Sequence, residues 1–336
     1  MRLSSLRRTL LAAALGIAVS TPALAEDREL LNSSYDIARE LFAALNPEFS
    51  RYWQAEQGEA INIQQSHGGS SAQARAILQG LRADVVTYNQ VSDVQVLADA
   101  GLVAEDWQQL LPNNASPFYS TTAFLVRKDN PKGIENWDDL VREDVSMVFP
   151  NPKTSGNGRY TYLAAWGFAK QAFADDEEQI HDFMRTFLGN VAVFDTGGRG
   201  ATTSFIERNL GDVLISFEAE VNNIRQEYGS DDYEVIVPPV SILAEFPVAV
   251  VEANAERNGN QDLAQAYLEF LYSEEAQRIL ASFNNRIHHE TVVAEYAEQF
   301  PETELLTVEE IAGGWDAAME THFGNGGLLD QLQRRR

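Results

Sequence analysis

Ile61-Asn62-Ile63-Gln64-Gln65-Ser66-His67-Gly68-Gly69-Ser70-Ser71-Ala72-Gln73-Ala74-Arg75-Ala76 changes character twice. It opens on β-branched alternation at Ile61 and Ile63, passes through a glycine–serine turn, and continues in helix-forming sequence. Ser70 and Gln73 match an S-x-x-Q capping box, which predicts Ser70 at the helix N-cap. A strand that runs through a small-residue turn into a helix is the unit of α/β architecture. Further short apolar runs repeat the pattern at Asp84–Tyr88, Thr121–Arg127, Ser146–Phe149, Val191–Phe194, Val213–Phe217, Val235–Val237 and Val248–Val251. Helical spacing lies between them. Ile37, Leu41 and Leu45 recur at i, i+4, i+8, and Leu263, Tyr267, Phe270 and Leu271 predict one long helix running toward Phe283. The fold class is therefore α/β with mostly parallel sheet, which binds ligands beyond the carboxyl ends of its strands. At 336 residues the chain exceeds what one core usually organises, so two lobes are expected. Pro112-Asn113-Asn114 and Ser116-Pro117 are candidate crossings between them; Pro238-Pro239 and Glu245-Phe246-Pro247 are candidate returns.

Three other segments share the junction logic of the first. They are Asn32-Ser33-Ser34-Tyr35-Asp36, Asn151-Pro152-Lys153-Thr154-Ser155-Gly156-Asn157-Gly158, and Asp195-Thr196-Gly197-Gly198-Arg199-Gly200-Ala201-Thr202-Thr203. A helix N-terminus carries unpaired N–H groups and partial positive charge. Glycine admits an anion close to the backbone, and serine adds a neutral donor. Converging turns of this kind build an uncharged anion site, although each alone also reads as ordinary turn and cap chemistry.

The charge balance bears on partners. Lys plus Arg number 25 against 50 acidic residues, a net −25. That excludes nucleic acid and anionic membrane surfaces as natural partners. Repulsion of a small anion is damped beyond roughly 8 Å, whereas donors at about 3 Å act undamped. There is no cysteine, hence no disulfide or thiolate site. Arg2, Arg7 and Arg8, the apolar Leu10–Val19 and Ala23-Leu24-Ala25 predict an export signal cut after Ala25, leaving a mature chain at −28 once those three arginines are gone. Arg7-Arg8 leaves the export route open between the general and twin-arginine systems. The acidic run Asp175-Asp176-Glu177-Glu178 predicts a solvated helix start, and Arg334-Arg335-Arg336 a frayed tail.

Enzyme chemistry finds little support. His67-Gly68-Gly69 is an oxyanion-hole pattern, but no serine sits in a G-x-S-x-G elbow. No phosphate loop, dinucleotide fingerprint or H-E-x-x-H spacing occurs, and His288-His289 predicts a surface pair rather than a metal site. No cofactor is expected.

Read together, the turns resemble the periplasmic sulfate/thiosulfate-binding family of ABC importers. The resemblance runs over the mature chain and is carried by Ser33–Asp36, Gln65–Ser70, Leu111–Asn114, Phe124–Lys128, Asn151–Gly156, Gly198–Thr203, Ser241–Glu245 and Thr321–Phe323. It implies a type II, Venus-flytrap fold of two α/β lobes, with residues 26–112 and about 250–330 in the first and 113–249 in the second. It implies a periplasmic monomer, without membrane insertion, that delivers its ligand to an inner-membrane ABC permease. The implied ligand set is Asp36, Gly156, Asn157 and Gly198 through backbone N–H and Ser70 and Ser155 through hydroxyls, with Arg199 supporting the loop. Phe217 stands where the sulfate-binding branch has a tryptophan, and Asn157 where it has a second glycine. Both departures resemble the thiosulfate-binding branch, since a phenyl ring makes no donor demand on a soft sulfur. Another tetrahedral oxyanion, phosphate or molybdate, is the alternative ligand, and a Ser/His hydrolase the alternative function.

Overall fold

The computed structural model describes residues 28–333; the export signal, its cut after Ala25 and the arginine tail lie outside them. The chain forms two α/β lobes. The first lobe holds a four-stranded sheet in the order Val248–Val250, Val85–Thr87, Arg28–Tyr35, Ile61–Gly68. Its pairings are parallel except for the edge strand Val248–Val250. The second lobe holds a five-stranded sheet in the order Val191–Asp195, Met147–Pro150, Val213–Phe217, Thr122–Arg127, Tyr233–Ile236. Here Thr122–Arg127 runs antiparallel to both neighbours, so the sheet is mixed. Its two-residue alternation sorts side chains onto two faces. Leu125 and Leu214 pack with Ala201, Phe205 and Val221, while Phe124, Val126, Val213 and Ile215 join the larger core.

The chain passes between the sheets at Phe118–Ser120 and returns at Ala244–Glu245, paired antiparallel to one another. Arg286–Ile287 adds a third strand on the other side of Phe118–Ser120. Beneath this sheet Arg286 meets Glu218 through two hydrogen bonds, at 2.6 and 3.1 Å, both residues buried. Among the described residues no helix is long and apolar enough to cross a membrane.

Three expectations need correction. Asn32–Tyr35 is not a turn but the buried end of the central strand Arg28–Tyr35, and the turn begins only at Asp36. Asn32 and Ser33 are tolerated there because they bond within the core: Thr87 Oγ1 donates to Asn32 Oδ1 at 3.0 Å, and Ser33 Oγ donates to Gln73 Oε1 at 3.2 Å. The long helix toward Phe283 is two, Gln261–Phe270 and Glu274–Ser282. Ser273 is extended and accepts from Ala276 N, so a fresh N-cap interrupts the periodicity. The third correction, at Ser70, concerns the site itself. The acidic run behaves as expected: Asp176 caps Glu177–Gly189 by accepting from Glu178 N and Gln179 N.

Candidate functional site

All four junctions meet at the cleft between the lobes. Asp36, Ser70, Ser155, Gly156, Asn157, Gly198 and Arg199 line one cavity of about 270 Å³, with Gly69, Asn89, Thr154 and Gly197. Two lobes contribute, and each contributes helix starts. Ser155 N-caps Gly156–Ala172, accepting from Gly158 N at 3.5 Å; its own O–H remains a donor. Gly197 is the extended N-cap of Gly198–Ile206. Thr154 Oγ1 donates to Thr196 O at 3.1 Å and so ties these two loops together. From the first lobe come the 3-10 turn Asp36–Ala38 and the helix Ser70–Leu78.

Ser70 is not the N-cap. Gly69 is, and Ser70 is the first helical residue. Gln73, expected to close the capping box, instead accepts at Oε1 from the hydroxyls of Ser33 and Ser66. Burial explains the change, since those hydroxyls need a partner and the N-cap N–H does not depend on Gln73. Ser70 Oγ donates to Asn89 Oδ1 at 2.7 Å and accepts from Asn89 N at 3.2 Å. To serve a ligand its hydroxyl must exchange partners.

The lining is formally neutral in balance. Lys153, in the middle of the third loop, turns away to Phe323 O, Gly324 O and the Asp330 carboxylate. Arg199 reaches across the cleft to Asp36 at 3.6 Å and Glu40 at 3.4 Å. It therefore joins the lobes, and its charge is already matched. His67 is half-buried against Tyr35 O at 3.4 Å, and burial lowers its pKa. Ser70 bonds to Asn89 rather than to a histidine, so no nucleophile–base pair forms here. Among the described residues no three His, Cys, Asp or Glu side chains gather to hold a metal.

The bacterial extracellular solute-binding protein model matches residues 37–283. The chain is 60% identical over 306 residues to the thiosulfate-binding protein of Escherichia coli K12, covering 90% of each. It is 44% identical to the sulfate-binding protein of the same organism, covering 94% of this chain and 96% of that one. The chain belongs to the bacterial extracellular solute-binding protein family. Among solved structures, the sulfate-binding protein SubI from Mycobacterium tuberculosis H37Rv aligns with a TM-score of 0.77 at 30% identity, over 87% of this chain and 98% of that one. These relatives are binding proteins by name, not enzymes.

Phe217, the eighth expected site residue of this solute-binding protein, lines a separate neighbouring cavity together with Tyr35, Phe246 and Glu220. It is buried and packs edge-on against Tyr160 and Phe246. Ile37 and Arg199 border both spaces.

Three residues of the site region escape the sequence pattern. Asn89 and Gln90 follow the strand Val85–Thr87 and face Gly156 across the cleft; a Cβ on Gly156 would lie 2.8 Å from Gln90 Oε1 and 3.1 Å from Asn89 Oδ1. The signal that could have found them is the strand end itself, since Asn89-Gln90 occupies the same topological place as the other turns. Glu220 carried no signal in so acidic a chain. It is buried behind Gly198, and burial raises its carboxyl to about 7 against the hydrogen bonds from Ser216 and Asn157.

Proposed function

We propose that this protein captures thiosulfate, and sulfate, in the periplasm and delivers it to an inner-membrane ABC permease. The carrying observation is one cavity at the lobe interface where helix N-termini and hydroxyls from both lobes meet and where Arg199, the one cationic side chain lining it among the described residues, is already paired. The names of the relatives at 60% and 44% identity support the ligand class. The donors we assign are the N–H groups of Asp36, Gly156, Asn157 and Gly198 and the hydroxyls of Ser70 and Ser155. Closure about the strands Phe118–Ser120 and Ala244–Glu245 seats the anion and strips its water, and Arg199 latches the closed form to Asp36 and Glu40. Neutral donors suffice because aligned N–H groups stay aimed at the charge when water leaves. Phe217 borders the adjoining cavity that shares Ile37 and Arg199 with the anion site, and a phenyl ring there offers no N–H that a soft sulfur would leave unpaired, a penalty of about 1–3 kcal/mol.

A thermal-shift panel on the mature protein tests the ligand class. Thiosulfate or sulfate at 100 times its dissociation constant adds about 2.7 kcal/mol, and phosphate and molybdate at the same concentration are expected to give smaller shifts. A larger shift with phosphate would reassign the site. Ser155→Ala is expected to weaken thiosulfate binding by about 1–3 kcal/mol in calorimetry, and an unchanged Kd would place Ser155 outside the site. Phe217→Trp is expected to move the thiosulfate-to-sulfate affinity ratio toward sulfate, and a constant ratio would remove Phe217 from the preference.

A further inference from the structure

The side chains of Asn157, Ser216 and Glu220 form a cluster directly behind the anion cavity, and the capture mechanism above uses the backbone N–H of Asn157 but none of these side chains. Glu220 is so near Gly198 that a methyl group there would meet its Oε1 at 2.7 Å. Asn157 Nδ2 donates to Ser216 Oγ at 2.7 Å and to Glu220 Oε2 at 3.1 Å. Ser216 donates to the same carboxylate oxygen. The opposite edge of the amide, Asn157 Oδ1, is buried without a hydrogen-bond partner, although Asn157 lines the anion cavity. An ionised carboxylate can only accept. It therefore commits the amide to one orientation, with N–H turned toward Glu220 and C=O turned to the other side.

We propose that Glu220 is a positioning residue for anion preference, which holds the Asn157 N–H edge back and leaves an acceptor edge that disfavours a sulfate oxygen more than the sulfur of thiosulfate. The proposal rests on the capture of these anions argued above. An oxygen of sulfate carries concentrated charge and needs a donor, and an unmet donor requirement at a buried site is costly. Sulfur is a weak acceptor and loses less at the same place. Protonation reverses the arrangement. A neutral Glu220 can donate its O–H into Asn157 Oδ1 once the amide turns over, which presents N–H on the side where the oxygen now lies.

The charged groups facing Glu220 are Asp36, which with burial resists its ionisation, and Arg199, which favours it. The Tyr35 hydroxyl, raised by burial and by Glu220, completes the surroundings. The carboxyl changes state near the value of about 7 that its burial gives. Both ligands remain dianions throughout, so a pH effect on their ratio comes from the protein.

The test is calorimetric Kd for thiosulfate and for sulfate at about pH 8 and about pH 6, on either side of that carboxyl. The wild-type preference for thiosulfate is expected to fall by about threefold or more at the lower pH. In E220Q, which cannot titrate, the ratio becomes independent of pH. In N157G, which has no amide to orient, the preference shrinks and its pH dependence disappears. A wild-type ratio that stays flat overturns the proposal, whether or not the variants fold. So does N157G that keeps both the preference and its pH dependence. Failure of both anions to bind at either pH would overturn the capture function itself, and this proposal with it.

Discussion

Gly158→Ala is expected to abolish most of the anion affinity while leaving a folded protein. Gly158 lies in the first turn of Gly156–Ala172, and an added Cβ would sit 2.2 Å from Pro150 O and 2.8 Å from Asn151 C and Pro152 N. These are backbone atoms of the strand end and loop that carry Ser155, so they cannot swing aside as a side chain would. The helix start must move off the strand, and with it the Gly158 N–H that meets Ser155 Oγ. Overpacking of this kind costs about 1–3 kcal/mol in stability. Binding is lost as well, because the Ser155 hydroxyl and the N–H groups of Gly156 and Asn157 move together. Two of these donors out of reach cost about 2 kcal/mol or more, about thirtyfold or more in Kd. Calorimetry with thiosulfate checks it, and a wild-type Kd would show that this helix start does not touch the anion. Gly198→Ala makes the contrast: the nearest atoms to its Cβ belong to the Glu220 carboxylate, the first at 2.7 Å, and a side chain can give way where backbone cannot.

Arg286→Met is expected to destabilise the fold by about 3–5 kcal/mol, because it strands a buried Glu218 carboxylate without its partner. The pair is bidentate, and Arg286 also donates to Pro301 O at 2.9 Å. Glu218 opens the helix Glu218–Tyr228, and its N–H donates to Thr121 O at 2.7 Å next to the strand crossing between the lobes. Arg286 belongs to the short strand that pairs with that crossing. The ion pair thus fastens the second lobe to the strands that cross between the lobes. Replacing both partners, Arg286→Met with Glu218→Leu, is expected to recover most of the stability, since an apolar pair leaves no uncompensated charge. Denaturant unfolding of the single and double variants reads both effects. Equal loss in the double variant would mean that the pair acts through packing alone.

The strands were legible because their signal is local. Val213–Phe217 has the bounds its apolar run predicts, and Val191, Thr122 and Val248 open strands within a residue of expectation. Errors arose where a local signal competed with burial. Asn32-Ser33-Ser34 has turn composition, yet Asn32 and Ser33 find partners in the core, Asn32 with Thr87 and Ser33 with Gln73 and Tyr88. Ser70 and Gln73 have capping-box spacing, yet Gln73 is drawn to Ser33 and Ser66, and Ser70 to Asn89. Short-range rules assume a helix end facing water, and this one faces another lobe.

The sequence by itself determined the α/β class, the helix starts that follow small polar residues at Ser70, Ser155 and Gly198, and the neutral chemistry that they offer an anion, because residue type and spacing decide these within a few positions along the chain. Only the tertiary structure decided that those junctions share one cavity, that Arg199 is matched by Asp36 and Glu40, and that Glu220 stands buried behind Asn157. Those relations join residues more than sixty positions apart in the chain or on different lobes. Hydrogen bonds and burial act over a few ångströms in space, and no spacing in the sequence records which distant segments come that close.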